Sequence, residues 1–166
     1  MAKSGYIKTI QYNVLGGAVG STWYTLGVIP PAVSLNTSFA LAVTWENTGD
    51  EAFDGHIALS VTDPNGIVSV ITAASGQDAN VLAGGETAVV FTAFTLDVAG
   101  VYAAEMTLTE EDHTTVYDTN ASQVAIVAAD AADAIGIDIT ELMNLMITMM
   151  IVMMMMKMMS GMITKA

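Results

Sequence analysis

The strictest constraint in this chain is a period of two. In the run SFALAVTWEN, Phe39, Leu41, Val43 and Trp45 fall on one side of an extended strand, while Thr44 and Glu46 fall on the other. The same alternation places Ile57, Leu59 and Val61 together in HIALSVT, and Tyr102, Ala104, Met106 and Leu108 together in VYAAEMTLT. Between these runs stand turn signals: NTGD at Asn47 to Asp50, DPNG at Asp63 to Gly66, LAGGET, DVAG and the acidic tip Glu110 to His113. Asn and Gly tolerate a left-handed backbone and proline presets φ, so each cluster reads as a chain reversal. Short β-branched runs recurring every 8–12 residues or so predict a mainly β chain, a sandwich or barrel. IVSVIT, AVVFTAFTL, TTVYDT and SQVAIV supply further strands. YIKTIQYNVL reads as an extra strand, and VIPPAVSL, with Pro30 and Pro31, reads as a sheet edge because proline cannot donate to a central ladder.

A second pattern takes over near the C-terminus. Apart from Met1 and Met106, every methionine lies between Met143 and Met162. The composition shift divides the chain into an N-terminal extension (1–29), a sandwich (30–127), a small, acidic linker (128–138) and a hydrophobic helix (139–166). From Leu142 to Met156 there is no charge, and Asp138 followed by Glu141 resembles a helix start. Fifteen uncharged helical residues span roughly 22 Å, short of a bilayer core of about 30 Å, and continuation past Lys157 closes the gap if that lysine snorkels. Leu142, Leu145, Met149, Val152, Met156, Met159 and Ile163 follow steps of three and four, a heptad-like seam for oligomerisation or membrane contact. Ile147, Met150, Ile151, Met153 and Met154 make the other faces apolar too. Such a helix requires burial on all sides, in lipid or among partner helices.

Composition narrows the function classes. The 166 residues, 53% apolar, suffice for one domain and an appendage. A formal charge of −13 opposes nucleic-acid binding. With no cysteine, the fold rests on packing without disulfides or thiolate chemistry. The N-terminal residues lack an unbroken apolar stretch of the roughly 7–15 residues that a secretory signal needs, so assembly from the cytoplasm, as for a virion protein, is the expectation.

The search for chemistry yields little. His56 and His113, the two imidazoles of the chain, read as surface residues, since no motif pairs either with a nucleophile or carboxylate. GGAVGST, Gly16 to Thr22, lacks the lysine of a phosphate loop and reads as a flexible connection. Glu110, Glu111 and Asp112 lack the fixed spacing of a calcium loop and read as a solvated cluster. Methionine-only copper ligation is disfavoured without histidine, cysteine or a polar opening nearby. Asn36-Thr37-Ser38 and Asn120-Ala121-Ser122 match the glycosylation sequon. Neither catalytic residues nor a cofactor or metal are expected.

The turn motifs carry a family resemblance. Asn47 and Gly49 in an Asn-x-Gly turn, Leu82, Gly85 and Glu86 in LAGGE, and Gly100 with Tyr102 resemble the bacterial and archaeal immunoglobulin-like modules of the CARDB (cell adhesion related domain in bacteria) group. Over residues 30–127 the resemblance implies a seven-stranded sandwich in a surface, adhesion or assembly role. Tyr102, five residues after Asp97, also predicts a tyrosine corner, with one residue more than the antibody-like spacing. The expectation is a non-enzymatic, self-associating component of a multi-copy particle, sandwich outside and helix buried in a membrane or shared helical core. The alternative is a membrane-anchored adhesion or binding module in a cell envelope.

Overall fold

The computed structural model describes residues 2–18, 20–129, 147–151 and 153. The chain divides after Ala129 into two units. In the second, residues 147–151 and 153 are helical. Of the predicted helix seam, Met149 is therefore described, whereas Leu142, Leu145, Val152, Met156, Met159 and Ile163 lie outside the described residues, as do Asp138 and Glu141. Among the described residues no helix is long and apolar enough to cross a membrane. Of the helix expected over 139–166, residues 147–151 and 153 are helical, and the rest of that expectation lies outside the described residues.

The first unit is built from twelve strand segments: β1 (Gly5–Asn13), β2 (Tyr24–Thr25), β3 (Ala32–Ser34), β4 (Thr37–Asn47), β5 (Phe53–Thr62), β6 (Val68–Ile71), β7 (Ala73–Ser75), β8 (Asp78–Val81), β9 (Glu86–Phe91), β10 (Phe94–Leu96), β11 (Gly100–Glu110) and β12 (Val116–Ala128). They form two six-stranded sheets. Sheet A runs β2-β1-β4-β9-β7 with β10 also on β4, and sheet B runs β3-β12-β11-β5-β6 with β8 also on β5. The expected count of seven is exceeded because short pairings of two to four residues continue the edges of the longer strands.

The inward residues are those the alternation selects. Phe39, Leu41, Val43, Trp45 and Ile57 are fully buried, and Leu59, Val61, Tyr102, Ala104, Met106 and Leu108 join them between the sheets. Each large side chain withdrawn from water contributes about 1.5–3 kcal/mol, offset by chain ordering. Gly55 lies on the inner face of β5 because a Cβ there would overlap the Trp45 ring. The residues assigned to an N-terminal extension contribute β1 and β2 to sheet A, and Ile7 and Ile10 enter the core. β1 carries a bulge between Ile7 and Thr9, where Asp118 of β12 accepts the Ile7 N–H at 2.7 Å. The proline-bearing segment forms the sheet-edge strand β3, parallel to β12.

Candidate functional site

The turn motifs of the family resemblance are not independent signals, because the fold brings them together in pairs. Asn47, fully buried at the end of β4, donates from Nδ2 to the Glu51 and Val81 carbonyls at 2.9 and 2.8 Å, and its Oδ1 accepts the Gly49 N–H. Its backbone meets the LAGGE turn: Gly84 N–H donates to Asn47 O and Asn47 N–H to Gly85 O, both at 2.9 Å. The left-handed backbone expected at Asn47 and Gly49 does not occur; positive φ falls instead on Gly84 at 72°. Asn47 acts through its side chain, and Gly49 is required because a Cβ would overlap the Ala2 carbonyl.

At the other end of the sandwich, Gly100 (φ 133°) lies against the DPNG turn, where a Cβ would come within 2.7 Å of Pro64. Two residues on, the Tyr102 hydroxyl accepts the Val98 N–H at 3.0 Å and donates to Asp97 Oδ1 at 3.3 Å, so the tyrosine corner forms with the longer spacing. Burial pushes the Tyr102 hydroxyl above its usual pKa. A cleft of about 320 Å³ opens beside it between Val61, Ile71 and Phe94, with Asp63 and Asp97 at its rim. Both carboxylates are engaged in structure: Asp63 Oδ1 accepts the Asn65 and Ile67 N–H groups, and Asp97 holds Tyr102.

The two histidines, 57 positions apart in sequence, meet. Their rings lie 4.1 Å apart edge to face, His56 on β5 and His113 on the β11–β12 tip in a left-handed backbone (φ 57°). His56 Nδ1 is 2.5 Å from Asp78 Oδ1 on the adjacent β8. His113 is exposed, whereas the His56 side chain is 11% exposed and has a carboxylate partner that no sequence motif signals. No sequence spacing signals this, since the strand register that pairs His56 with Asp78 and Thr109 brings the tip over β5. Among the described residues no three His, Cys, Asp or Glu side chains converge on a metal position. Asp112 bonds the Thr114 N–H and hydroxyl, which hold its carboxyl below the usual range, while Glu110 pairs with Lys3 and Tyr117. Gly16 to Thr22 forms a loop anchored on buried Asn13, whose Oδ1 accepts the Leu15 and Gly17 N–H groups.

The described residues thus present surfaces more clearly than a reactive centre. The outer face of sheet A carries Tyr6, Lys8, Glu46 and Glu86, with Lys8 Nζ 3.0 Å from Glu46 and 2.5 Å from Glu86. In the second unit, Ile147, Met149, Met150, Ile151 and Met153 are 50–63% exposed. At about 100° per residue these five side chains cover roughly 200° of the helix circumference, and Thr148 lies in the remaining sector.

No family model matches the sequence, and no curated protein matches it. Among solved structures, the chain is similar to a Bacteroides uniformis β-glucuronidase 2 calcium binding mutant, with a TM-score of 0.52 and 12% identity over 74% of this chain. It spans only 14% of that enzyme's length. The CARDB domain of the PF1109 protein from Pyrococcus furiosus, solved in complex with di-metal ions, is similar over 76% of this chain and 88% of that one, with 16% identity and a TM-score of 0.46. A β-glucosidase from Listeria innocua shares 15% identity over 76% of this chain and 17% of its own, with a TM-score of 0.42. At 12% identity the likeness to the β-glucuronidase is one of fold.

Proposed function

We propose that this chain is a non-enzymatic structural module whose C-terminal, methionine-rich segment holds it in a multi-copy assembly, a virion or similar particle, with the sandwich outermost. The observation that carries this reading is the exposure of Ile147, Met149, Met150, Ile151 and Met153 on the described helical residues. Leaving such side chains in water forfeits about 1.5–3 kcal/mol each, so a lipid phase or partner helices have a large drive to cover them. Methionine's flexible thioether suits irregular packing in either setting. The sandwich's polar side chains support the non-enzymatic reading, since Asn13, Asn47, Asp63, Asp97 and Tyr102 are all engaged in holding turns. The similarity to glycosidases extends over a small fraction of their length and brings no catalytic group to this chain.

The turn-motif resemblance favours a second reading, an adhesion or binding module anchored in a cell envelope through the same segment. Deleting residues 139–166 and following oligomeric mass and flotation with lipid vesicles tests both. Loss of assembly or flotation is expected, and a truncated protein that assembles and floats like the full chain contradicts anchoring. Labelling of the protein on intact cells separates the envelope reading from the particle.

A further inference from the structure

Sheet B ends on β6, and this edge lacks the devices that blunt other edges of the sandwich. Pro30 and Pro31 lead into β3, Asp78 stands on β8, and β7 breaks register between Ala73 and Ser75. From Pro64 to Gln77, by contrast, there is no charge, and Ile67 to Thr72 is a β-branched run interrupted only by Ser69. Ile67, Val68 and Val70 are 61–79% exposed. The hairpin bond from Asp63 N–H to Ile67 O, at 2.9 Å, sets the parity of the ladder. Ile67, Ser69 and Ile71 turn their backbone groups towards β5, so those of Val68 and Val70 turn away from it. Among the described residues no strand meets the two N–H and two C=O groups presented there. The next carbonyl on that side, of Thr72, accepts the Thr92 N–H at 2.9 Å, so an amide can reach this edge, and the open stretch ends at that bond.

We infer that β6 is a docking edge that takes an extended segment of a partner polypeptide as an added strand of sheet B, with apolar residues at alternate positions and a basic residue at one end. The cleft beside Tyr102 sets the alternation. It lies under this edge, lined by Ile67, Ser69 and Ile71 on the β6 side and by Phe94 and Thr95 on the β10 side. Side chains of a strand alternate between its faces, so every second one of the added segment enters the cleft and continues the core between the sheets. Charge sets the basic end. Asp63 and Asp97 stand at the cleft rim, where one oxygen of each holds a turn and the other takes no hydrogen bond among the described residues. The described lysines, Lys3 and Lys8, are engaged with Glu110, Glu46 and Glu86. In a chain of formal charge −13 these two carboxylates repel an acidic segment, one from a second copy included, and attract a lysine or arginine. The docking edge is a surface of the sandwich and goes beyond the multi-copy reading, which rests on the C-terminal segment.

The test follows fluorescence anisotropy of a labelled octapeptide of alternating valine and threonine, with a lysine at one end, against the full chain in mild detergent. Saturable binding is expected. Glutamate in place of the lysine weakens it ~5-fold or more, Asp97→Asn in the protein weakens the lysine peptide in the same direction, and both differences shrink in high salt. Val70→Pro removes an outward N–H that the ladder to β5 does not use, so the sandwich stays folded by circular dichroism while binding falls at least ~10-fold. Val70→Thr keeps that N–H and is expected to bind as the unchanged chain does. Absence of saturable binding, equal binding of the lysine and glutamate peptides, or undiminished binding to folded Val70→Pro protein overturns the inference. A peptide of residues 66–73 that binds more tightly than the lysine peptide makes a second copy the occupant and overturns it as well. Assembly that depends on residues 139–166 stands or falls separately from each of these outcomes.

Discussion

Two side chains, Tyr102 and Asn47, tie down turn backbone at the ends of the sandwich, and their removal has calculable effects. Tyr102→Phe deletes the acceptor for the Val98 N–H, so a loss of about 1–2 kcal/mol is expected in urea unfolding, with the sheets intact by circular dichroism. Asn47→Ala strands the Val81 carbonyl in the interior and frees the Glu51 carbonyl, while the Gly49 N–H keeps the Ser4 carbonyl, for a larger cost of roughly 2–4 kcal/mol in the same assay. Gly55→Ala tests packing rather than hydrogen bonding: its methyl group meets the Trp45 ring, and overpacking of this kind costs about 1–3 kcal/mol. Trp45 Nε1 is itself buried without a partner, a cost the fold carries to place this large ring in its centre. If Gly55→Ala unfolds at the wild-type urea midpoint, the close approach of β5 to Trp45 is not as described.

At the scale of elements, β1 is the strand on which the most depends. It pairs with β4 from Gly5 to Asn13, covers the core with Ile7 and Ile10, and is tied to β12 through Asp118. Deletion of residues 1–13 is therefore expected to abolish cooperative thermal unfolding, whereas a dispensable extension leaves the transition in place. The charges on its outer side contribute less and do so conditionally. Lys8 holds the Glu46 carboxyl below its usual range, so the folded-state pKa is lower than the unfolded one; the stabilisation is present at neutral pH and lost as pH falls through that depressed value. Lys8→Met is expected to move the acid-unfolding midpoint to higher pH, with the shift diminished in high salt. The long strands were legible because residues such as Phe39, Leu41, Val43 and Trp45 alternate strictly, and inward positions follow from that parity alone. β2, β7 and β8 were not, since two to four residues, of which only Val81 of β8 is buried, are too few to show a hydrophobic parity, and their pairing is dictated by neighbouring strands. The histidine pair was illegible for a related reason: contact between His56 and His113 depends on the β5–β11 register, a property of the sheet rather than of either segment.

For the molecule as a whole, the two units pose opposite problems to water. The sandwich hides its apolar residues between sheets and places most of its carboxylates on turns and on sheet B, while the described helical residues of the second unit expose Ile147, Met149, Met150, Ile151 and Met153. On the proposed function this apolar surface is covered in the working state, by lipid or by other copies. The decisive measurement is sedimentation of the full chain in the presence of vesicles, compared with a Met149→Glu, Met150→Glu and Met153→Glu variant. The full chain is expected to sediment as a multi-copy species or with the vesicles, and the variant, with its sandwich folded, to do so markedly less. Identical sedimentation of the two, both as free monomers or both in the same assembly, would contradict it.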